Sequence, residues 1–246
     1  MSYEKYTIST ITYGRSHEEE RRIARGLRAL SAKHIPTIIA SDGGSSVPFL
    51  DELQKIPNVR IVRAAQKGLF PQVTESLQKA GETDQPYIFY TESDKPRFFE
   101  QGLDEFIAVA TDIAERDAHF GLIIPARNQQ SFSAFPPFQQ DTESSVNGII
   151  DRLTNQDEKR DYLYGPKIVA KSLIPYLEKV SDDIGWGWMS YLAIIAHRLN
   201  KTNYTVSLDL PTPAENENED EEEKLLRLKQ MRDHFNGIYL AMMTKL

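Results

Sequence analysis

Five short runs of apolar and β-branched residues alternate with stretches of helical spacing across the first half of the chain. The runs fall at residues 6–13, 36–40, 59–62, 87–91 and 120–125. Between them, apolar residues recur three and four positions apart, as Ile23, Leu27 and Leu30 do after the first run. Strands that alternate with helices through short connections form a sheet of mostly parallel strands. We therefore predict an α/β fold.

The rhythm changes after residue 125, where residues 127–141 are rich in phenylalanine and proline. A long loop inside a compact domain is usually a lid or a binding loop, and we predict one here. Residues 214–223 are almost wholly polar and acidic, which predicts an exposed, mobile segment. No linker divides the chain, so we predict a single domain of residues 1–246. The other predicted elements are helices at 98–116, 142–153, 172–180, 189–199 and 224–242 and strands at 162–170 and 205–210.

The composition is that of an ordinary globular protein, with 40% hydrophobic and 26% charged residues. The net charge of −7 argues against a general nucleic-acid binder, which would have a basic surface. The absence of cysteine excludes disulfides and thiolate metal sites. No apolar run reaches the length of about 18 residues that a membrane-spanning helix needs, and the N-terminus lacks the apolar core of a signal peptide. We expect a cytoplasmic protein with no transmembrane segment and no nucleic-acid partner.

Two carboxylates follow the fourth predicted strand, at Glu92 and Asp94. Side chains two positions apart on an extended backbone point the same way, so both face one spot beyond the end of the strand. Open α/β sheets bind ligands in the crevice at the carboxyl ends of their strands. Two carboxylates there suit a hard cation such as Mg²⁺ or Mn²⁺, with substrate phosphates completing its coordination. A solvated turn with two surface acids is the alternative explanation.

Glycine-containing turns follow the second and third predicted strands. In the first, Asp42 precedes Gly43, so that backbone N–H groups can approach a phosphate while the aspartate holds a ribose or base. In the second, Lys67 could neutralise a diphosphate. A plain β–α turn and an exposed lysine are the alternatives. The chain has neither the G-x-G-x-x-G fingerprint nor a Walker A loop, which disfavours dinucleotide oxidoreductases and P-loop NTPases.

Together these turns resemble the nucleotide-sugar half of the GT-A-type glycosyltransferases. The Asp42 turn is similar to the family's Asp-Gly-Ser turn, and the Lys67 turn to its basic turn. Glu92 stands where the family's D-x-D motif has its first aspartate, so Asp94 is the preferred metal ligand and Glu92 the second. The resemblance implies a GT-A-like, Rossmann-type open mixed sheet in which residues 1–126 bind the nucleotide sugar. The residues to which it assigns this binding are Tyr13, Asp42, Gly43, Lys67, Glu92 and Ser93.

The resemblance extends to residues 127–246, as the acceptor-side half. Asp182 and Asp183 precede a Gly-Trp-Gly-Trp run, a stretch that shapes the acceptor site in this family. An acid there is the general base of inverting members, so the resemblance makes Asp183, or else Asp182, catalytic. Core packing of the tryptophans and a surface position for any histidine are the alternatives. The resemblance also implies acceptor contacts from Arg127, Trp186 and Trp188, and a third metal ligand from His234.

The resemblance implies a hexosyltransferase that uses Mg²⁺ or Mn²⁺ to move a sugar from a nucleotide-diphosphate sugar to a small polar acceptor such as glycerate. One alternative on the same fold is a sugar-phosphate nucleotidyltransferase. Those enzymes open with a glycine-rich basic loop after the first strand, where this chain has only Gly14 and Arg15. A non-catalytic GT-A-like domain that binds a glycan or a partner is the second alternative. The sequence leaves the oligomeric state open, a homo-oligomer included.

Overall fold

The computed structural model describes residues 3–156, 160–210 and 219–246. Within these ranges one sheet is built from seven strands: β1 (Tyr6–Thr12), β2 (Thr37–Asp42), β3 (Val59–Arg63), β4 (Tyr87–Glu92), β5 (Phe120–Arg127), β6 (Lys167–Val169) and β7 (Thr202–Leu208). Their order across the sheet is β3-β2-β1-β4-β6-β5-β7. Neighbouring strands run parallel except at β6, which lies antiparallel between β4 and β5. The predicted open mixed sheet is confirmed.

The described residues also form ten α-helices and three short 3₁₀ segments. Every helix in these ranges is too short or too polar to pass through a lipid bilayer. The 3₁₀ segments are Tyr3–Lys5, Lys171–Leu173 and Asp182–Gly187. The helices are α1 (His17–Ser31), α2 (Val47–Leu53), α3 (Leu69–Gly81), α4 (Pro96–Gln101), α5 (Leu103–Arg116), α6 (Gln129–Ser133), α7 (Pro137–Leu153), α8 (Ile174–Leu177), α9 (Trp188–Arg198) and α10 (Glu221–Met243).

Side-chain caps fix the starts of the first and last helices. At α1 the hydroxyl of Ser16 accepts a hydrogen bond from the N–H of Glu19 at 3.2 Å. At α10 the carboxylate of Asp220 accepts one from the N–H of Glu223 at 2.9 Å. Because Asp220 is the cap, α10 begins at Glu221, three residues before the predicted start, and acids 221–223 of the predicted mobile segment are helical. Residues 214–218 of that segment lie outside the described residues.

The predicted long loop at residues 127–141 is wrong. Strand β5 continues to Arg127, and two helices, α6 and α7, occupy most of the rest. The side chain of Asn128 caps α6 by accepting a hydrogen bond from the N–H of Ser131 at 2.8 Å. Pro137 lies in the first turn of α7, where its missing N–H group leaves no hydrogen bond unmade. Prolines and polar residues that indicate a loop by composition therefore mark helix starts here.

Helix α9 lies at the centre of the second half of the chain. Residues 188–196 are all buried, so the helix is covered on every side. It packs against β5, β7 and α10. The residue that begins it, Trp188, therefore belongs to the core.

Helix α10 crosses the segment Asp182–Gly187 at two glycines. A Cβ atom added to Gly187 would lie 2.0 Å from the carbonyl oxygen of Asp233. One added to Gly237 would lie 2.0 Å from the carbonyl oxygen of Gly187. Both distances are far below van der Waals contact, so the two backbones meet only because neither glycine has a side chain. The crossing holds α10 against the segment that carries Trp186.

A methyl group at this crossing should therefore weaken the fold. We expect Gly237→Ala to lower the free energy of unfolding by about 1–3 kcal/mol, because the added carbon forces the two backbones apart. Gly148→Ala is the matched control in α7, since nothing lies within 4 Å of the Cβ that it adds. That change should stabilise the protein by about 0.5–1 kcal/mol through helix propensity. Urea denaturation measures both, and a Gly237→Ala variant as stable as the wild type would contradict the crossing.

Candidate functional site

A cavity of about 790 Å³ opens at the carboxyl end of β4. Its walls come from α1, the β4–α4 turn, α7, residues 163–165 and the first half of α10. This is the crevice in which open α/β sheets bind ligands. Five acidic residues line it, and they are outnumbered by eight basic ones although the whole chain carries a net charge of −7. The basic residues are Arg15, Arg21, Arg22, Arg25, Lys95, Arg97, Arg127 and Arg227.

Contacts with β1 and α1 fix the turn that carries the two predicted metal ligands. The hydroxyl of Ser93 donates a hydrogen bond to the carbonyl oxygen of Ile11, in β1, at 2.8 Å. The carbonyl oxygen of Ser93 lies against Gly26 of α1, where an added Cβ would come within 1.9 Å of it. Ser93 is thus a buried brace for the turn, and Glu92 and Asp94 project from a rigid backbone.

Glu92 and Asp94 each have one carboxylate oxygen that no hydrogen bond satisfies. These atoms, Oε2 of Glu92 and Oδ1 of Asp94, are buried, and both residues line the cavity. A buried oxygen that accepts no hydrogen bond is costly unless a ligand or ion completes it, so the pair fits a divalent cation. In the described part of the chain, no group of three His, Asp or Glu residues is arranged to hold a metal. A cation bound here would therefore take its remaining ligands from substrate oxygens or water.

The carboxyl group of Glu92 is enclosed by charged and neutral neighbours. Burial raises its pKa, and the nearby charge of Asp94 adds to the effect, while Lys95 and Lys167 oppose it. The Nζ atom of Lys95 lies 3.7 Å from Oε2 of Glu92. A Cβ added to Gly165 would lie only 2.0 Å from the same oxygen, so the glycine leaves the space that the carboxyl group fills.

Lys167 is the fully buried cation beneath this carboxyl group. Its ammonium group donates a hydrogen bond to the carbonyl oxygen of Tyr162 at 3.2 Å and lies 5.3 Å from the ring centre of Trp188. Burial lowers the pKa of Lys167 to about 8, although the negative charge of Glu92 opposes the shift. The lysine is a buried counter-charge and does not reach the cavity.

His234 reaches the cavity from α10 and is only 4% exposed. Its Nδ1 atom lies 2.9 Å from the hydroxyl oxygen of Ser190. Burial lowers the pKa of His234 to about 3, with the charge of Lys167 adding to the effect, so the imidazole is neutral at physiological pH. A neutral imidazole is the form that binds metals. The assignment of His234 as a metal ligand remains a prediction, because the structure forms no three-residue ligand group with it.

Arg127, for which the resemblance implied an acceptor contact, lines the cavity, but its guanidinium group is already paired within the protein. Its side chain is 2% exposed, and it donates to Asp161 through Nε at 2.7 Å and through Nη2 at 2.8 Å. Nη2 also bonds to Glu143. These two carboxylates outweigh the effect of burial and raise the pKa of Arg127. Its charge is balanced by the protein itself.

Three aromatic rings enclose the same guanidinium group. Its central carbon lies 4.6 Å from the ring centre of Phe135, 4.9 Å from that of Phe132 and 5.4 Å from that of Tyr164. Arg127 thus ties β5 to α6, α7 and the segment that carries Tyr164. It holds together the wall of the cavity to which it belongs.

The two tryptophans have different surroundings. Trp188 is completely buried and meets Tyr90 edge-on, with ring centres 4.7 Å apart. The prediction that Trp188 contacts the acceptor is therefore wrong, because the helix that it begins is buried on every side. Trp186 is half-buried and lines the cavity, where its ring can present an apolar surface to a ligand.

The predicted general bases do not reach the cavity in this conformation. Asp182 and Asp183 are exposed at the start of the 3₁₀ segment and are not among the lining residues. A general base must lie within hydrogen-bond reach of the proton that it removes. The catalytic role of either aspartate remains a prediction.

The predicted nucleoside contacts lie along the same sheet edge, beside the cavity. Thr12 is level with Asp42, and Ile11 with Glu92, so the ends of β1, β2 and β4 meet at one edge. The carboxylate of Asp42 accepts hydrogen bonds from its own turn, including one from the N–H of Gly44 at 2.8 Å. Of the six predicted nucleotide-sugar contacts, only Glu92 lines the cavity; the other five are Tyr13, Asp42, Gly43, Lys67 and Ser93.

Sequence reasoning missed the basic lining of the cavity. Arg21, Arg22 and Arg25 share one face of α1, and their spacing of one and four positions was visible in the sequence. Part of the lining charge is already balanced. Arg25 bonds to Glu100 at 2.6 Å, and Arg15 bonds to a glutamate of α1.

Removing the charge of Arg127 should strongly destabilise the protein. We expect Arg127→Met, which keeps most of the side-chain volume, to lower the free energy of unfolding by about 3–5 kcal/mol, because Asp161 is left buried without its cation. The matched control is Arg116→Ala, which removes an exposed ion pair with Asp112 and should change stability little. Urea denaturation at pH 7 compares the two. Equal effects would show that the Arg127 cluster is not a structural centre.

The neutral state of His234 should make stability depend on pH. Between pH 7 and pH 5 the unfolded chain protonates this imidazole, whose ordinary pKa is 6.5, while the folded protein does not. The free energy of unfolding therefore decreases as the pH falls, by about 1–2 kcal/mol at pH 5. Denaturation in EDTA at both pH values should show a smaller loss in His234→Gln than in the wild type. The exposed His17→Gln is the control, and a His234→Gln variant with the wild-type pH dependence would contradict the burial argument.

No protein-family model matches the chain, and no curated protein sequence matches it. Solved structures do match. A structure described as a mycobacterial protein has a TM-score of 0.66 at 12% identity, and the match covers 98% of this chain and 76% of that one.

The same comparison finds glucosyl-3-phosphoglycerate synthase from Mycobacterium tuberculosis. Its complex with phosphoglyceric acid has a TM-score of 0.63 at 12% identity over 98% of this chain and 81% of that one. Its complex with Mn²⁺ and uridine-diphosphate-glucose has a TM-score of 0.64 at 12% identity, covering 98% and 80% of the two chains. The chain therefore has the fold of these structures, which confirms the GT-A-like fold class.

Proposed function

We propose that the chain is a hexosyltransferase that moves a sugar from a nucleotide-diphosphate sugar to a small polar acceptor, assisted by Mg²⁺ or Mn²⁺. The observation that carries this proposal is the pair of unsatisfied carboxylate oxygens, on Glu92 and Asp94, at the cavity of a GT-A-like sheet. The mycobacterial enzyme of the same fold was solved with Mn²⁺ and uridine-diphosphate-glucose, and also with Mg²⁺ and uridine diphosphate. Its metal and donor are consistent with the residues found here.

In the proposed reaction the sheet edge holds the donor. Asp94 and Glu92 would bind the cation. The neutral imidazole of His234, which lines the same cavity from α10, is available as a further ligand. A bound divalent cation would neutralise the diphosphate that leaves as the bond to the anomeric carbon breaks. Asp42 and Lys67, at the ends of β2 and β3, are proposed to contact the nucleoside and phosphates, as are Tyr13, Gly43 and the braced turn at Ser93.

The lining charges support a small polar acceptor that carries negative charge. Eight basic against five acidic side chains face the cavity of an otherwise acidic chain. The mycobacterial enzyme was solved with phosphoglyceric acid, a small anion. Trp186 supplies an apolar surface beside these charges. Because such substrates are small polar metabolites, we propose a cytoplasmic enzyme. Its oligomeric state is left open, a homo-oligomer included.

The two candidates for the general base lie outside the cavity. Asp183, or else Asp182, would act on the acceptor only if the acceptor hydroxyl reached the exposed 3₁₀ segment. That same displacement of both aspartates from the cavity favours a second candidate function, a non-catalytic domain that binds a glycan or a partner. Such a domain would bind its ligand equally well in EDTA.

Nucleotide binding tests the proposal directly. Uridine and guanosine diphosphates, and the corresponding nucleotide sugars, should raise the melting temperature of the protein in the presence of Mn²⁺, because a ligand that binds only the folded state stabilises it. Asp94→Asn should abolish the part of this shift that depends on Mn²⁺, since it removes the preferred cation ligand.

The matched control is Asp112→Asn, an exposed aspartate of α5 outside the cavity, which should leave the shift unchanged. Transfer of glucose from a nucleotide sugar to 3-phosphoglycerate or glycerate is then followed by mass spectrometry. The proposal fails if no nucleotide or nucleotide sugar stabilises the wild type. Binding without any transfer would favour the non-catalytic domain.

A further inference from the structure

Lys95 immediately follows the preferred cation ligand, Asp94, and faces the cavity. Its side chain is 28% exposed, and its Nζ atom lies 3.7 Å from Oε2 of Glu92. The ammonium group also lies 6.0 Å from the ring centre of Tyr164. The position where the two carboxylates would hold a cation therefore already has a fixed positive charge beside it.

This charge is held in place by the chain on both sides. A proline restricts the backbone of the residue before it, and Lys95, with φ −111° and ψ 52°, precedes Pro96 at the start of α4. Tyr164, against which the ammonium group lies, meets Phe98 edge-on at 6.0 Å and lies on the guanidinium group of Arg127 at 5.4 Å. The packed side chains around Tyr164 thus position Lys95, whereas an exposed lysine on the surface is flexible.

The N–H donors of the Lys95 ammonium group remain available to a ligand. The 3.7 Å approach to Glu92 is too long for a hydrogen bond, and no acceptor in the described part of the chain takes one from it. Three other cations at the cavity are more firmly engaged. Arg127 bonds to two carboxylates, Arg25 to Glu100, and Arg227 to a glutamine and a glutamate of its own helix.

We propose that Lys95 binds the phosphate oxygens of a nucleoside diphosphate and adds a positive charge to that of the cation on Asp94. This inference rests on the proposed function. It divides the two acids unequally, since Asp94 is the principal cation ligand, while Glu92 is the second ligand and also positions Lys95. Part of the affinity for the nucleotide therefore does not depend on a metal ion.

The contrasting possibility is that Lys95 serves only the fold, as the counter-charge of a buried glutamate. A purely structural lysine would change stability when it is replaced but would leave nucleotide affinity unaltered. The two roles therefore differ in a measurable quantity, the dissociation constant for a nucleoside diphosphate in the absence of metal.

Isothermal titration with uridine diphosphate and guanosine diphosphate, in EDTA and in Mn²⁺, separates them. In EDTA the wild type should bind one of the two, and Lys95→Met should weaken that binding about tenfold or more. Lys95→Arg, which keeps the charge, should stay within about threefold of the wild type. Lys55→Met removes an exposed lysine outside the cavity and is the matched control, with no expected change. In Mn²⁺ the loss in Lys95→Met should be smaller, because the cation supplies part of the charge.

Glu92→Gln tests the division of the acids and does not depend on whether Lys95→Met folds. It should lower the gain in affinity that Mn²⁺ gives only in part, whereas Asp94→Asn should abolish that gain. The inference is overturned if Lys95→Met, folded by circular dichroism, binds in EDTA as the wild type does, or if the wild type binds only with Mn²⁺. A loss of the Mn²⁺ effect in Glu92→Gln as complete as in Asp94→Asn would overturn it too. If the wild type binds no nucleoside diphosphate under either condition, the proposed function itself fails.

Discussion

The wall of the cavity depends on one buried charge, the guanidinium group of Arg127. A cation removed from water must be paired, and the two carboxylates that pair it come from other parts of the chain, on α7 and at Asp161. Because Tyr164 lies on the same guanidinium group, the position of residues 163–165 follows from this pairing. Gly165 then faces the carboxyl group of Glu92. A charge that the protein itself pairs thus determines where this wall of the cavity lies.

Sequence reasoning succeeded where local patterns decide the structure. The first five strands were predicted because their apolar runs are short and bounded by turn residues, and parallel pairing then brings Asp42 and Glu92 to one edge of the sheet. The α/β alternation determines that placement without any knowledge of distant contacts. The rigidity of the turn around Ser93 was not visible, because it comes from the approach of Gly26 on another helix.

Sequence reasoning failed where partners distant in the chain decide the outcome. Residues 127–141 were predicted as a loop because they are rich in phenylalanine and proline, and the packing of Phe132 and Phe135 on Arg127 is not visible in the sequence. Trp188 was assigned to the acceptor because a helix buried on every side has no polar face to reveal which residues are inside. The same limit applies to Asp182 and Asp183, since the crossing of α10 over the 3₁₀ segment leaves them outside the cavity.

The charge of the whole chain and the charge of its cavity have opposite signs, and distance decides which one a ligand meets. Charges in water are screened over about 8 Å at physiological ionic strength, so the net −7 acts weakly on an anion that is still approaching. Inside the cavity the nearest charges are the lining cations, and low-dielectric walls strengthen their field. An acidic protein can therefore bind an anion here. Few groups set the balance of charge within the cavity. One lysine beside two carboxylates therefore has a large influence on the binding of an anion.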